Sequence, residues 1–68
     1  MITGKRLREL RIDKGMKIKD VAEALNVTVR SVNRYEDGTR EPSLGILTGF
    51  CKLYNVSADY LLGLTDSY

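Results

Sequence analysis

Sixty-eight residues suffice for one small domain, near the lower limit of what a single apolar core holds together. The composition, 43% hydrophobic and 29% charged, is that of an ordinary globular chain, and no apolar run approaches the length of a membrane span. With no His and a single Cys, an internal disulfide is excluded and no metal or other cofactor is expected.

The net charge of +2 is unevenly spread: residues 1–40 carry ten Lys/Arg against six Asp/Glu, and residues 41–68 carry one against three. The first part suits an anionic partner, the second some other task. The start, Met1-Ile2-Thr3-Gly4-Lys5, lacks the apolar core of an export signal, so a cytoplasmic location is expected.

In chain order, residues 3–14 read as a first helix. Thr3 is a capping type, Leu7 and Leu10 are three apart, and most other positions are good helix formers. Gly15 stops this helix in the left-handed conformation, and Met16 packs back on the core. A second helix follows from residue 17 or 18 to Leu25, with Val21, Ala22 and Leu25 on its apolar face. Its start is unusual. Lys17 stands where Ser, Thr or Asp normally caps, and Lys19 adds positive charge to an end that the macrodipole already makes positive. An anion docked there reverses the penalty, so Lys17 and Lys19 are candidate contacts to a DNA phosphate.

The chain hinges at Asn26-Val27, and Thr28 caps a third helix reaching about Asp37. Val32 and Tyr35 face inward. Arg30, Ser31, Asn33 and Arg34 face outward, an arrangement suited to a DNA groove. Gly38 ends the helix, and Thr39-Arg40-Glu41-Pro42 forms a loop. Ser43 caps a fourth helix through about Tyr54, with Leu44, Leu47, Phe50, Cys51 and Tyr54 at three- and four-residue steps. Gly45 and Gly49 lie on another face, read as exposed. Asn55-Val56 turns the chain, and Ser57 caps a fifth helix, Ala58 to Leu62, ended by Gly63. Tyr60, Leu61, Leu62 and Leu64 carry more apolar surface than so short a helix buries beneath itself. The tail, residues 65–68, is expected to fray.

The fragments Leu7-Arg8-Glu9-Leu10-Arg11, Asp20 to Thr28, Val32 to Ser43 and Asn55 to Gly63, in this order and spacing, resemble the helix-turn-helix family of lambda-type phage repressors and Cro proteins, also called the xenobiotic-response-element family. The resemblance implies an all-α, compact five-helix, lambda-repressor-like DNA-binding domain over residues 1–64, its helix-turn-helix at about 18–37. It implies a sequence-specific transcriptional regulator, a repressor, that binds double-stranded DNA and places the third helix (28–37) in the major groove. Val29, Arg30, Asn33 and Arg34 then contact bases, Arg reading guanine, Asn adenine and Val a thymine methyl. Lys17, Lys19, Thr28, Ser31 and Arg40 contact phosphates. Arg11 and Glu36 match positions that pair across the first and third helices, a structural salt bridge rather than a catalytic carboxylate. The family usually has a Ser or Thr cap and then Gln where Lys17 and Ile18 stand. That shifts specificity towards Arg30, Asn33 and Arg34.

One recognition helix reads only a few base pairs, so a homodimer on a palindromic operator is expected, with Tyr60, Leu61, Leu62 and Leu64 as its contacts. No membrane or small-molecule ligand is implied, and nothing suggests an enzyme. The competing reading is a protein-interaction module, such as an antitoxin or co-regulator, working through the acidic, apolar C-terminal part.

Overall fold

The computed structural model describes residues 2–68; Met1, where the expected domain begins, lies outside the described residues. Among the described residues there are five helices and no strand: α1 (Ile2–Asp13), α2 (Ile18–Leu25), α3 (Val29–Asp37), α4 (Leu44–Tyr54) and α5 (Ala58–Leu62). None is long and apolar enough to cross a membrane.

Local chemistry sets the boundaries. Thr28, Ser43 and Ser57 each accept the backbone N–H three residues on, satisfying one orphan donor per helix. Gly38 and Gly63 close α3 and α5 in the left-handed region, at φ 83° and 81°. Asn26 and Asn55 do the same for α2 and α4, at φ 56° and 55°. Asn-Val-Thr at 26–28 and Asn-Val-Ser at 55–57 are therefore one device used twice. An Asn ends a helix, a Val packs inward, and a hydroxyl starts the next helix.

Every helix contributes to one core. Leu7 and Leu10 meet Val21, Ala22, Val32, Tyr35, Phe50, Tyr54, Val56 and Leu61, all buried. Phe50 is the hub of its aromatic part, edge-on to Tyr35 and stacked with Tyr54, each at 5.9 Å between centroids.

Five expectations are corrected. Thr3 does not cap α1; the helix already includes Ile2, and Thr3 is buried one residue further in. Leu44 is 84% exposed: it lies about 120° around α4 from the buried Phe50, off the face that packs, while Ile46 and Leu47 in the same turn rest against the core. Gly49 is not on an open face: a Cβ built there would lie 2.8 Å from Leu25 Cδ2, so α2 and α4 approach closely at this point. Leu61 is completely buried and has no surface to offer a partner. The tail is tied down rather than frayed. Arg6 Nη1 donates to the backbone oxygens of Tyr60 and Thr65, the latter at 2.7 Å, and Nη2 pairs with Asp66 at 2.8 Å. The Ser57 N–H donates to the Tyr68 oxygen at 2.8 Å.

Candidate nucleic-acid interface

An α-helix advances about 100° per residue, so a burial pattern fixes where every other side chain points. Val32 and Tyr35 anchor α3 in the core. Arg30, Asn33 and Arg34 consequently emerge on the opposite side, and all three are exposed. Val29, at the first position of α3, is 46% exposed. Neither Arg30 nor Arg34 forms an ion pair among the described residues.

The N-terminus of α3 is braced by its own hydroxyls. Thr28 Oγ1 accepts the Ser31 N–H at 3.0 Å and donates to Ser31 Oγ at 3.0 Å. Arg40 Nη1 lies 3.4 Å from Ser31 Oγ, a long hydrogen bond, and its guanidinium sits 5.6 Å from the centre of the Tyr35 ring. The turn that carries Arg40 is pinned by Asp37, whose carboxylate accepts from the Thr39 hydroxyl at 2.7 Å and from the Thr39 N–H at 2.9 Å. Those two bonds hold the Asp37 carboxyl below its ordinary pKa. Arg40 is thereby drawn back beside α3 from a loop that the sequence leaves open.

Lys17 and Lys19 are both exposed at the start of α2. The end is not bare, however. The Asp20 carboxylate accepts the Lys17 N–H at 2.9 Å, the reciprocal half of a capping box whose other half a lysine side chain has no acceptor to make. Asp20 also opposes the positive macrodipole end. The sequence pattern hides it, because a lysine at the cap position lacks the side-chain acceptor that marks such a box. Ile18 is half-buried and packs against the core edge.

Arg11 and Glu36 fix the angle between α1 and α3. Arg11 Nε donates to Glu36 Oε2 at 2.8 Å and Nη2 to Oε1 at 3.1 Å, a two-pronged pair, while Nη1 donates to the Met16 oxygen at 3.2 Å. The side chains are only 14% and 6% exposed. The hydrogen bond to Glu36 holds the Arg11 guanidinium above its ordinary pKa, which keeps Arg11 charged.

The apolar residues at the C-terminal end divide. Leu62 and Leu64 are exposed, at 44% and 73%. Tyr60 is half-buried, its ring held between the Arg6 guanidinium at 4.2 Å and the edge of Tyr68 at 4.8 Å. Ile2, 43% exposed, extends the same patch, since a Cβ built on Gly63 would lie 2.8 Å from Ile2 Cγ2. Nothing in the sequence pattern joins Ile2 to α5. Cys51 is half-buried, and burial pushes its thiol up.

Residues 7–61 match the helix-turn-helix family. The chain is 44% identical over 63 residues to the HTH-type transcriptional regulator ImmR of Bacillus subtilis, covering 93% of this chain and 50% of that protein. It spans about half the length of two further curated relatives as well. Among solved structures, the N-terminal DNA-binding domain of SinR from Bacillus subtilis superposes with a TM-score of 0.81 at 26% identity, over 90% of both chains. The P22 c2 repressor, solved in complex with a synthetic operator, shares the fold with a TM-score of 0.85 at 23% identity, over 90% of this chain and 92% of its own.

Proposed function

This chain belongs to the helix-turn-helix family, in the five-helix form of lambda- and P22-type repressor domains, and from that premise we propose that it is a sequence-specific, double-stranded-DNA-binding transcriptional regulator rather than an enzyme. It acts as a repressor in the cytoplasm, where the DNA is. The observation that carries the reading is the outward face of α3: Arg30, Asn33 and Arg34 exposed opposite a fully anchored Val32 and Tyr35. α3 enters the major groove, Arg30 and Arg34 bond guanine edges, Asn33 reads adenine and Val29 meets a thymine methyl. Lys17, Lys19 and Arg40 hold phosphates, with the Thr28 and Ser31 hydroxyls at the N-terminus of α3 beside them.

Two copies on a palindrome double the few base pairs that one helix reads. The exposed Leu62 and Leu64, with Ile2, are the surface for that pairing; Leu61 is withdrawn from it by its burial. Sedimentation of the free and DNA-bound protein measures the state. The same exposed leucines are what favours the second reading, an interaction module. Protein capture with no duplex selected from random DNA, even at low salt, is its signature.

Selection of bound duplexes tests the main reading. Arg30→Ala and Arg34→Ala are each expected to weaken binding to the selected site by about 1–3 kcal/mol and to relax preference at one base position. Affinity and preference unchanged in both variants would sink it.

A further inference from the structure

A polar cleft of about 360 Å³ separates α1 from the outward edge of α3 and the start of α2, lined by Arg8, Arg11, Ile18, Asn33, Glu36 and Asp37. Most of its charges are already committed. Arg11 and Glu36 hold each other, and Asp37 is bonded to Thr39. Arg8 is the exception: it is exposed, and among the described residues it has no hydrogen bond or ion pair through its side chain.

The position of Arg8 around α3 gives that free cation meaning. Ser31 and Asn33 are two residues apart, so they lie about 200° apart around the helix axis, on opposite flanks. Arg40 is held on the Ser31 flank. Arg8 shares its cleft with Asn33, on the other. A helix with side chains is about 10–12 Å across and the major groove about 12 Å wide, so a helix seated there has the phosphates of one strand beside each flank. We infer that Arg8, on α1, is a phosphate contact to the strand opposite the one that Arg40 touches, so that the two arginines straddle the recognition helix and centre it in the groove. The inference rests on the proposed DNA reading and adds a contact from a helix outside the helix-turn-helix.

A phosphate contact releases condensed counterions, so its loss shows in the salt dependence of binding. Arg8→Gln is expected to make the slope of log affinity against log salt shallower by about 0.9, which is roughly threefold less loss between 50 and 200 mM salt. Base preference should not change. Arg8→Lys should keep the wild-type slope, because a phosphate accepts either cation. A duplex in which the contacted phosphate is a neutral methylphosphonate should bind wild type and Arg8→Gln alike. Thermal melting checks that each variant is folded. An Arg8→Gln slope equal to wild type, with Arg30→Ala still weakening the same site, overturns this inference and leaves the main reading standing. Wild-type protein that binds no duplex overturns both.

Discussion

Among the described residues, Tyr54 and Thr3 carry buried hydroxyls with no hydrogen-bond partner. The Tyr54 ring is 1% exposed and stacks on Phe50, so the aromatic body earns its place while the phenol does not. Burial above all pushes that phenol up to about 12, with the Glu36 charge adding to the shift and Arg11 opposing it. In the unfolded chain a tyrosine titrates near about 10. Between those values the unfolded chain gives up its proton and the folded one keeps it. Stability is therefore complete below about pH 10 and declines as the pH rises towards about 12. Tyr54→Phe is expected to be neutral to about 1 kcal/mol more stable at pH 7. It should also remove roughly 2–3 kcal/mol from the alkaline decline. Tyr60, also raised by burial, remains in the variant with the same sign. Urea unfolding followed from pH 7 to pH 12 measures both effects, and a loss above 1 kcal/mol at pH 7 would mean that the hydroxyl is bonded. The sequence places Tyr54 on an apolar stripe, but no spacing rule says whether a hydroxyl at the end of the ring finds an acceptor.

Helix ends were the most legible feature, because a cap is a conversation between residues three apart. Thr28, Ser43 and Ser57 needed only their own neighbours to be recognised, as did Gly38 and Gly63. Helix faces were less so. Leu44 fits the α4 stripe by spacing yet stands in solvent, since three- and four-residue steps trace a stripe wider than the face that packs, and Leu44 lies at its edge, about 120° around the helix from Phe50. The glycines divide as well. Gly4, Gly45 and Gly49 all sit inside helices, and their surroundings differ entirely. A Cβ on Gly45 meets open space; on Gly49 it meets the movable end of Leu25 at 2.8 Å; on Gly4 it meets the backbone oxygens of Glu36 and Tyr35 at 2.5 and 2.7 Å. Gly45→Ala should gain about 0.5–1 kcal/mol from helix propensity alone. Gly49→Ala should roughly break even, the same gain set against about 1 kcal/mol or more of crowding. Gly4→Ala must push α1 off α3 and should cost at least about 2 kcal/mol, disturbing the Arg11–Glu36 pair on the way. Chemical denaturation of the three variants gives the order directly; Gly4→Ala as stable as Gly45→Ala would show that α1 and α3 do not approach so closely.

At the scale of the whole molecule, one side chain joins the two ends of the chain. Arg6 reaches residues 54 to 60 positions away, and its side chain is 11% exposed. That distance is why the sequence shows it only as a good helix former on α1. It binds two backbone oxygens at the end of α5 and the start of the tail, lies on the Tyr60 ring and pairs with Asp66. These contacts are unequal. The Asp66 side chain is 99% exposed, so solvent screens that pair and Asp66→Asn should cost less than about 1 kcal/mol. The backbone oxygens are a different matter, because charge-assisted bonds to partly buried acceptors are each worth about 1.5–3 kcal/mol and the ring adds about 0.5–1. Arg6→Ala is therefore expected to cost at least about 2 kcal/mol. In a domain of this size that lowers the melting temperature by roughly 10 °C. Because the Ser57 N–H meets the Tyr68 oxygen only while the tail is docked, amide exchange at Ser57 should speed up in Arg6→Ala more than in Asp66→Asn. Melting temperatures within a degree or two of each other for wild type and Arg6→Ala would mean that the docked tail adds nothing to stability, and that α1 and α5 are held by the core residues Leu7 and Leu61 alone.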